Sequence, residues 1–191
     1  MRRMGIGLIL AGCAFAQTAL PEFRIEAISA GSVFYIRNIG KEPLTAFLIE
    51  LVGYPGSSYL YWFDDPAEPV PVGGEKRIQV TNMLVGAAPD YVKIQAAIYA
   101  DGSTTGVPQK IEQLLARRRT ALETTQELIR RLEHGASAAD LKQWSAGVKP
   151  PARRLIEDTT VELGRRPAAE VLERLRASER ALAGAKPQKP E

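Results

Sequence analysis

The stretch Tyr91-Val-Lys-Ile-Gln-Ala-Ala-Ile-Tyr99, the turn Asp101-Gly102, and the run Pro108-Gln-Lys-Ile-Glu-Gln-Leu-Leu115 decide the fold, because the spacing of apolar residues changes between them. Over 91–99, apolar residues recur every second position, as in a strand with a buried face. From Pro108 onward, Ile111, Leu114, Leu115, Leu122, Leu128, Ile129 and Leu132 fall at three- and four-residue intervals, which puts one apolar stripe on a helix. Pro108 suits the first helical turn, where its missing N–H would have no partner anyway. The chain therefore divides near residue 105, with strands before and helices after.

Upstream the two-residue rhythm continues. Phe23–Ile28, Val33–Arg37, Leu44–Val52, Tyr59–Phe63 and Lys76–Thr81 are runs rich in aromatic and β-branched residues, separated by Gly, Pro and Asn punctuation. Pro66, Pro69 and Pro71 make 67–74 an exposed connection or an edge, since proline cannot donate to a ladder. No helical pattern lies between these runs, which excludes alternating strand–helix units. A β-sandwich of about seven antiparallel strands over residues 22–105 is the simplest architecture that buries such faces.

Downstream, one long amphipathic helix is expected over 108–134, with Arg118 interrupting its stripe and Gly135 stopping it. Short helices follow over 137–183. Ser137-Ala-Ala-Asp140 opens the first as a capping-box variant, and Pro150-Pro151 reset the chain. Leu155, Ile156, Thr159 and Leu163 line a third helix, and Val171, Leu172, Leu175 and Leu182 a fourth. Residues 184–191 read as a polar, disordered tail.

The stretch Val33–Gly102 resembles the Ig-like domains of exported bacterial proteins. In these an Asn-x-Gly-x-x-Pro-Leu turn follows an early strand, here Asn38, Gly40, Pro43 and Leu44. A Val-Gly-Gly element introduces a strand of Ile-x-Val type, here Val72-Gly73-Gly74 before Ile78 and Val80. Together with Ala97–Gly102 running into an Arg-rich helix, the chain is similar to uncharacterised exported bacterial proteins. The resemblance implies an Ig-like fold and no activity, since sites are grafted onto such folds independently.

Export is also read from the N-terminus. Arg2-Arg3 precede the short apolar run Met4–Ala16, and Ala14-Phe15-Ala16 gives a small-x-small pattern. Residues 1–16 thus read as a signal peptide cleaved between Ala16 and Gln17, leaving a periplasmic or secreted protein. The rival is a lipobox at Leu10-Ala11-Gly12-Cys13, with Cys13 lipidated and the protein held to the outer membrane. Cleavage at Ala16 is preferred, because only Met4–Ile9 would precede the lipobox, which is short for an apolar core. Cys13 is the single cysteine in the sequence, so the mature chain has no disulfide in either case.

The net charge of +3 conceals a split. Residues 17–105 carry six basic and ten acidic residues, and residues 106–191 seventeen basic and twelve acidic. Because the signs are interleaved, the basic half reads as a solvated helix surface and not as a nucleic-acid groove. Nucleic acid is therefore not an expected partner, and a membrane is one only through Cys13.

No catalytic constellation emerges. His134 is the single histidine and is read as a helix-end residue facing the negative end of the dipole. With one histidine and no thiol in the mature chain, zinc lacks ligands. Asp64, Asp65, Glu68, Asp90 and Asp101 are loop carboxylates without the spacing of a calcium loop. There is no glycine-rich phosphate loop. No cofactor is expected, and the chain is not read as an enzyme.

Two features suit recognition. Tyr59, Tyr61 and Phe63 alternate with Leu60 and Trp62, so both faces of that strand are apolar, and the second must meet the chain's own helices or a partner. Arg117-Arg118-Arg119 span most of a helical turn and suit either solvent or an acidic headgroup or wall polymer. The functional expectation is an exported, non-enzymatic binding or structural module. The alternatives are a proteinase-inhibitor-like sandwich presenting Asp65–Gly74 as a reactive loop, and a hydrolase built on loop carboxylates.

Overall fold

A computed structural model describes residues 19–28, 31–53, 57–81 and 91–184. The expected signal segment with Cys13, Ala16 and Gln17, the position Asp90, and the tail beyond Gly184 lie outside these residues.

Among the described residues, seven strands form two antiparallel sheets. β1 (Glu22–Ile28), β2 (Gly31–Arg37) and β5 (Glu75–Thr81) make one, in the order β1-β2-β5. β3 (Leu44–Gly53), β4 (Ser57–Asp64), β6 (Tyr91–Tyr99) and β7 (Thr104–Gly106) make the other, in the order β4-β3-β6-β7. Four helices complete the chain: α1 (Pro108–Glu133), α2 (Ala138–Ala146), α3 (Ala152–Leu163) and α4 (Ala168–Gly184). β7 had no periodic signal of its own, because three residues are too few to show alternation.

Alternation dictates what each face meets. Phe34, Ile36, Phe47, Ile49, Leu51, Phe63, Ile78, Ile94 and Tyr99 interdigitate between the two sheets, with Phe47 and Phe63 stacked at 4.7 Å. The opposite face of the four-stranded sheet carries Ala46, Leu48, Ala96 and Ile98, all inaccessible to solvent. The first half of α1 lies on that face, inserting Leu114 with Ile111 and Leu115 beside it. Ala46 and Ala96 are small, which lets the helix approach the sheet closely. The pairing of β3 with β6 shifts between Leu48 and Ile49, leaving Gln95 as an extra residue between Ile94 and Ala96. This bulge lets Ile94 and Tyr99 share the inter-sheet face while Ala96 and Ile98 face α1.

The second half of α1 belongs to another core. Leu128, Ile129 and Leu132 pack with Leu141 of α2, Ile156 of α3, and Val171 and Leu175 of α4. At 26 residues, α1 is about 39 Å long, enough to reach both cores. Its C-terminus ends as the sequence implies: Gly135 has φ +82°, and the next helix opens on a capping box between Ser137 and Asp140. No helix among the described residues is long and apolar enough to cross a membrane.

Asn38 ties the loops at one end of the sandwich together. Fully buried, it donates through Nδ2 to the carbonyls of Glu42 (2.9 Å) and Val70 (3.0 Å), and its Oδ1 accepts from Gly40 N–H (2.9 Å). The segment 65–74 is stitched down by the same group of contacts. Val70 exchanges backbone hydrogen bonds with Leu44, and Gly73 N–H donates to the Asn38 carbonyl. This segment is anchored to the sandwich at Val70 and Gly73.

Candidate functional site

The two halves of the molecule meet at the end of β4, and there the aromatic run and the arginine run come together. Phe63 points into the inter-sheet core, and Tyr61 packs against that core while staying partly exposed. Leu60 and Trp62 point the other way, toward α1. The Tyr59 side chain lies outside what the structure describes.

The three consecutive arginines separate by function. Arg118 is 4% exposed. Its Nε and Nη2 both donate to Asp64 Oδ1, at 2.9 and 2.6 Å, and Nη2 also donates to Thr45 Oγ1 at 3.0 Å. Thr45 Oγ1 in turn donates to the Ile98 carbonyl at 3.0 Å, so a buried polar chain runs from helix to sheet. The break in the apolar stripe is thus the point at which α1 is bolted to β3 and β4. As partner-binding candidates, Phe63 and Arg118 are corrected: both side chains are consumed inside the molecule. Sequence reasoning missed Asp64, which reads there as one of several loop carboxylates. The available signal was a charged residue in each of two apolar patterns, with no way to tell that they would meet.

Arg117, one position earlier, lies over the Trp62 ring at 5.3 Å. Arg119 is exposed on the far side of the turn. Trp62, Asp64, Arg117 and Ala121 form one wall of a cleft of about 290 Å³, and Pro151, Ala152, Arg154, Leu155 and Asp158 of the α3 region form the other. Neither Arg117 nor Arg154 makes an ion pair with a described carboxylate. Burial holds the Arg117 guanidinium below its ordinary range; Asp64 pulls it back up, and the positive charge of Arg154 pushes it down further.

Asp64 is only half satisfied by its pairing with Arg118. Burial raises its carboxyl above the ordinary aspartate range, outweighing the hydrogen bonds and charge of Arg118 that act in the opposite direction. Its Oδ1 is taken by Arg118, while Oδ2 is buried without a hydrogen-bond donor among the described residues. The side chain is 10% exposed.

His134 caps α1, its ring nitrogen Nδ1 lying 2.6 Å from the Arg130 carbonyl. Nearby Glu127 pairs with Arg130 at 2.5 Å and Arg131 at 2.6 Å, as the helical spacing implies. Asp65 and Asp101 each accept a backbone hydrogen bond from their own turn, Asp65 from Glu68 N–H and Asp101 from Ser103 N–H. Among the described residues no group of three or more His, Cys, Asp and Glu is placed to hold a metal. Comparison with known proteins found no family, no curated protein and no solved structure that matches this chain.

Proposed function

We propose that this chain is an exported, non-enzymatic binding module that captures an anionic component of the cell envelope in the cleft between β4, α1 and α3. The observation that carries this reading is the pair Arg117 and Arg154. Two cations line one cleft, neither in an ion pair with a described carboxylate, and burial together with the charge of Arg154 holds Arg117 below its ordinary range despite the opposing pull of Asp64. Planar guanidinium forks suit carboxylate and phosphate groups alike. Asp64, whose Oδ1 is held by Arg118, is a structural partner and not a general acid, which weighs against the hydrolase alternative. The anchoring of residues 65–74 weighs against an inhibitory loop.

The scaffold is read as Ig-like. Its support is the strand order: β1-β2-β5 and β3-β6-β7 correspond to the A-B-E and C-F-G groups of that fold, with β4 beside β3. Export is read from Arg2-Arg3 and the apolar run that follows. Intact mass of the protein recovered from its native host checks this: a start at Gln17 is expected, an acylated Cys13 would make it lipid-anchored, and an uncut Met1 would overturn export.

The binding reading is tested by calorimetric titration with two soluble polyanions, a polyuronate and a polyphosphate. At least one should bind the intact protein, and the double variant Arg117→Gln/Arg154→Gln should lose that binding at least tenfold, about 1.4 kcal/mol. Binding of neither, or equal binding by the double variant, would overturn it.

A further inference from the structure

We propose that the ligand of this cleft is a carboxylated sugar, a uronate unit of an acidic polysaccharide, and not a phosphate polymer or a lipid headgroup. The inference rests on the anion-binding reading and adds the chemical class. Its basis is that the cleft is not simply basic. Arg117 and Arg154 supply donors, but exposed Asp158 presents a carboxylate to the same space, and Asp64, its Oδ1 held by Arg118, lines it as well. A densely charged phosphate group would meet these carboxylates as like charges. A uronate carries one negative charge and several hydroxyls, so it can place its carboxylate on the arginines and a hydroxyl donor on Asp158.

One further feature points the same way. The remaining lining is apolar: Trp62, Ala121, Pro151, Ala152 and Leu155 offer C–H and indole surface suited to the face of a pyranose ring. The volume of about 290 Å³ is at the small end of ligand clefts, suited to one ring and its substituents.

The experiment titrates the full mature chain, followed by Trp fluorescence and calorimetry, with four probes: a short oligogalacturonate, its methyl ester, inorganic polyphosphate, and vesicles of phosphatidylglycerol. The oligogalacturonate should bind, and its methyl ester should bind at least tenfold more weakly. Arg154→Gln, at an exposed position, should weaken oligogalacturonate binding about tenfold. Asp158→Asn, also exposed, should weaken it several-fold while leaving any phosphate binding unchanged or stronger. If polyphosphate or vesicles bind with the same arginine dependence and the oligogalacturonate does not, the sugar assignment falls and the anion cleft stands. If no probe binds in an arginine-dependent way, both fall. Thermal melts of each variant separate lost binding from lost folding.

Discussion

At position 118 an arginine replaces the apolar residue that the stripe of α1 would place there, and its worth depends on Asp64 being present. Breaking a buried pair by removing one partner costs about 3–5 kcal/mol, because the other charge is left buried and alone. Arg118→Met should therefore lower stability by about that amount in urea unfolding. The double variant Asp64→Leu/Arg118→Met should recover most of it; a nearly neutral single variant would refute the bolt. The pH dependence has a definite sign. A carboxyl whose folded pKa is raised contributes its stability fully below the unfolded value of 3.8 and loses it as pH rises through the folded value. In Arg118→Met the lowering influence of the arginine is gone, so the deficit relative to the parent should shrink on acidification toward 3.8. Tyr99 gives a second titration. Burial pushes its hydroxyl up to about 12, and that hydroxyl donates to the Ala19 carbonyl at 2.6 Å. The folded state keeps this proton above pH 10.0, so stability should fall as pH rises from there toward 12, and Tyr99→Phe should remove that component. Phenolate absorbance recorded with unfolding checks it.

At the scale of elements, the handover from sheet to helix turns on Gly106. Its φ is +123°, and a Cβ there would lie 2.2 Å from the Gln95 carbonyl oxygen. That same oxygen accepts the Val107 N–H at 2.8 Å, which starts α1 in register with the sheet. Gly106→Ala should cost about 2 kcal/mol or more, from left-handed backbone strain together with the collision. A denaturant midpoint within error of the parent would contradict this. Elements of this kind differ in how plainly the chain announces them. Strands such as Phe23–Ile28 and Tyr91–Tyr99 were legible because their faces alternate, and α1 because its leucines recur on one side. The Ser137–Asp140 capping box was legible because it is local. Asp64 with Arg118 was not, since the partners are 54 residues apart and each alone reads as a surface charge. Nor was the cleft, because Trp62, Arg117 and Arg154 come from three separate elements. Local rules place residues on faces; they do not say which faces meet.

At the scale of the molecule, the sandwich and the helices are coupled by shared burial. Ala46, Leu48, Ala96 and Ile98 would be open to water without α1, and Leu128, Ile129 and Leu132 of the same helix complete the helical core. Covering the sheet face also disposes of an apolar surface that would favour association. Thermal unfolding of the parent should be a single transition, with the near-UV signal, from Trp62 and the tyrosines of the sandwich and Trp144 of α2, coincident with the far-UV helical signal. Two separated transitions would show that the halves melt independently. In Arg118→Met the two signals should diverge, because the polar link between α1 and the sheet is cut.

The placement of α1 also bears on how this chain can be cut. A boundary drawn at the change of rhythm, just after Gly106, looks natural on paper, yet it would strip one layer from the sheet and the backbone from the bundle in a single stroke. Neither fragment would be a small version of the whole. Anyone expressing the sandwich by itself should carry the cut at least past Ala121, so that the roof travels with the room it covers.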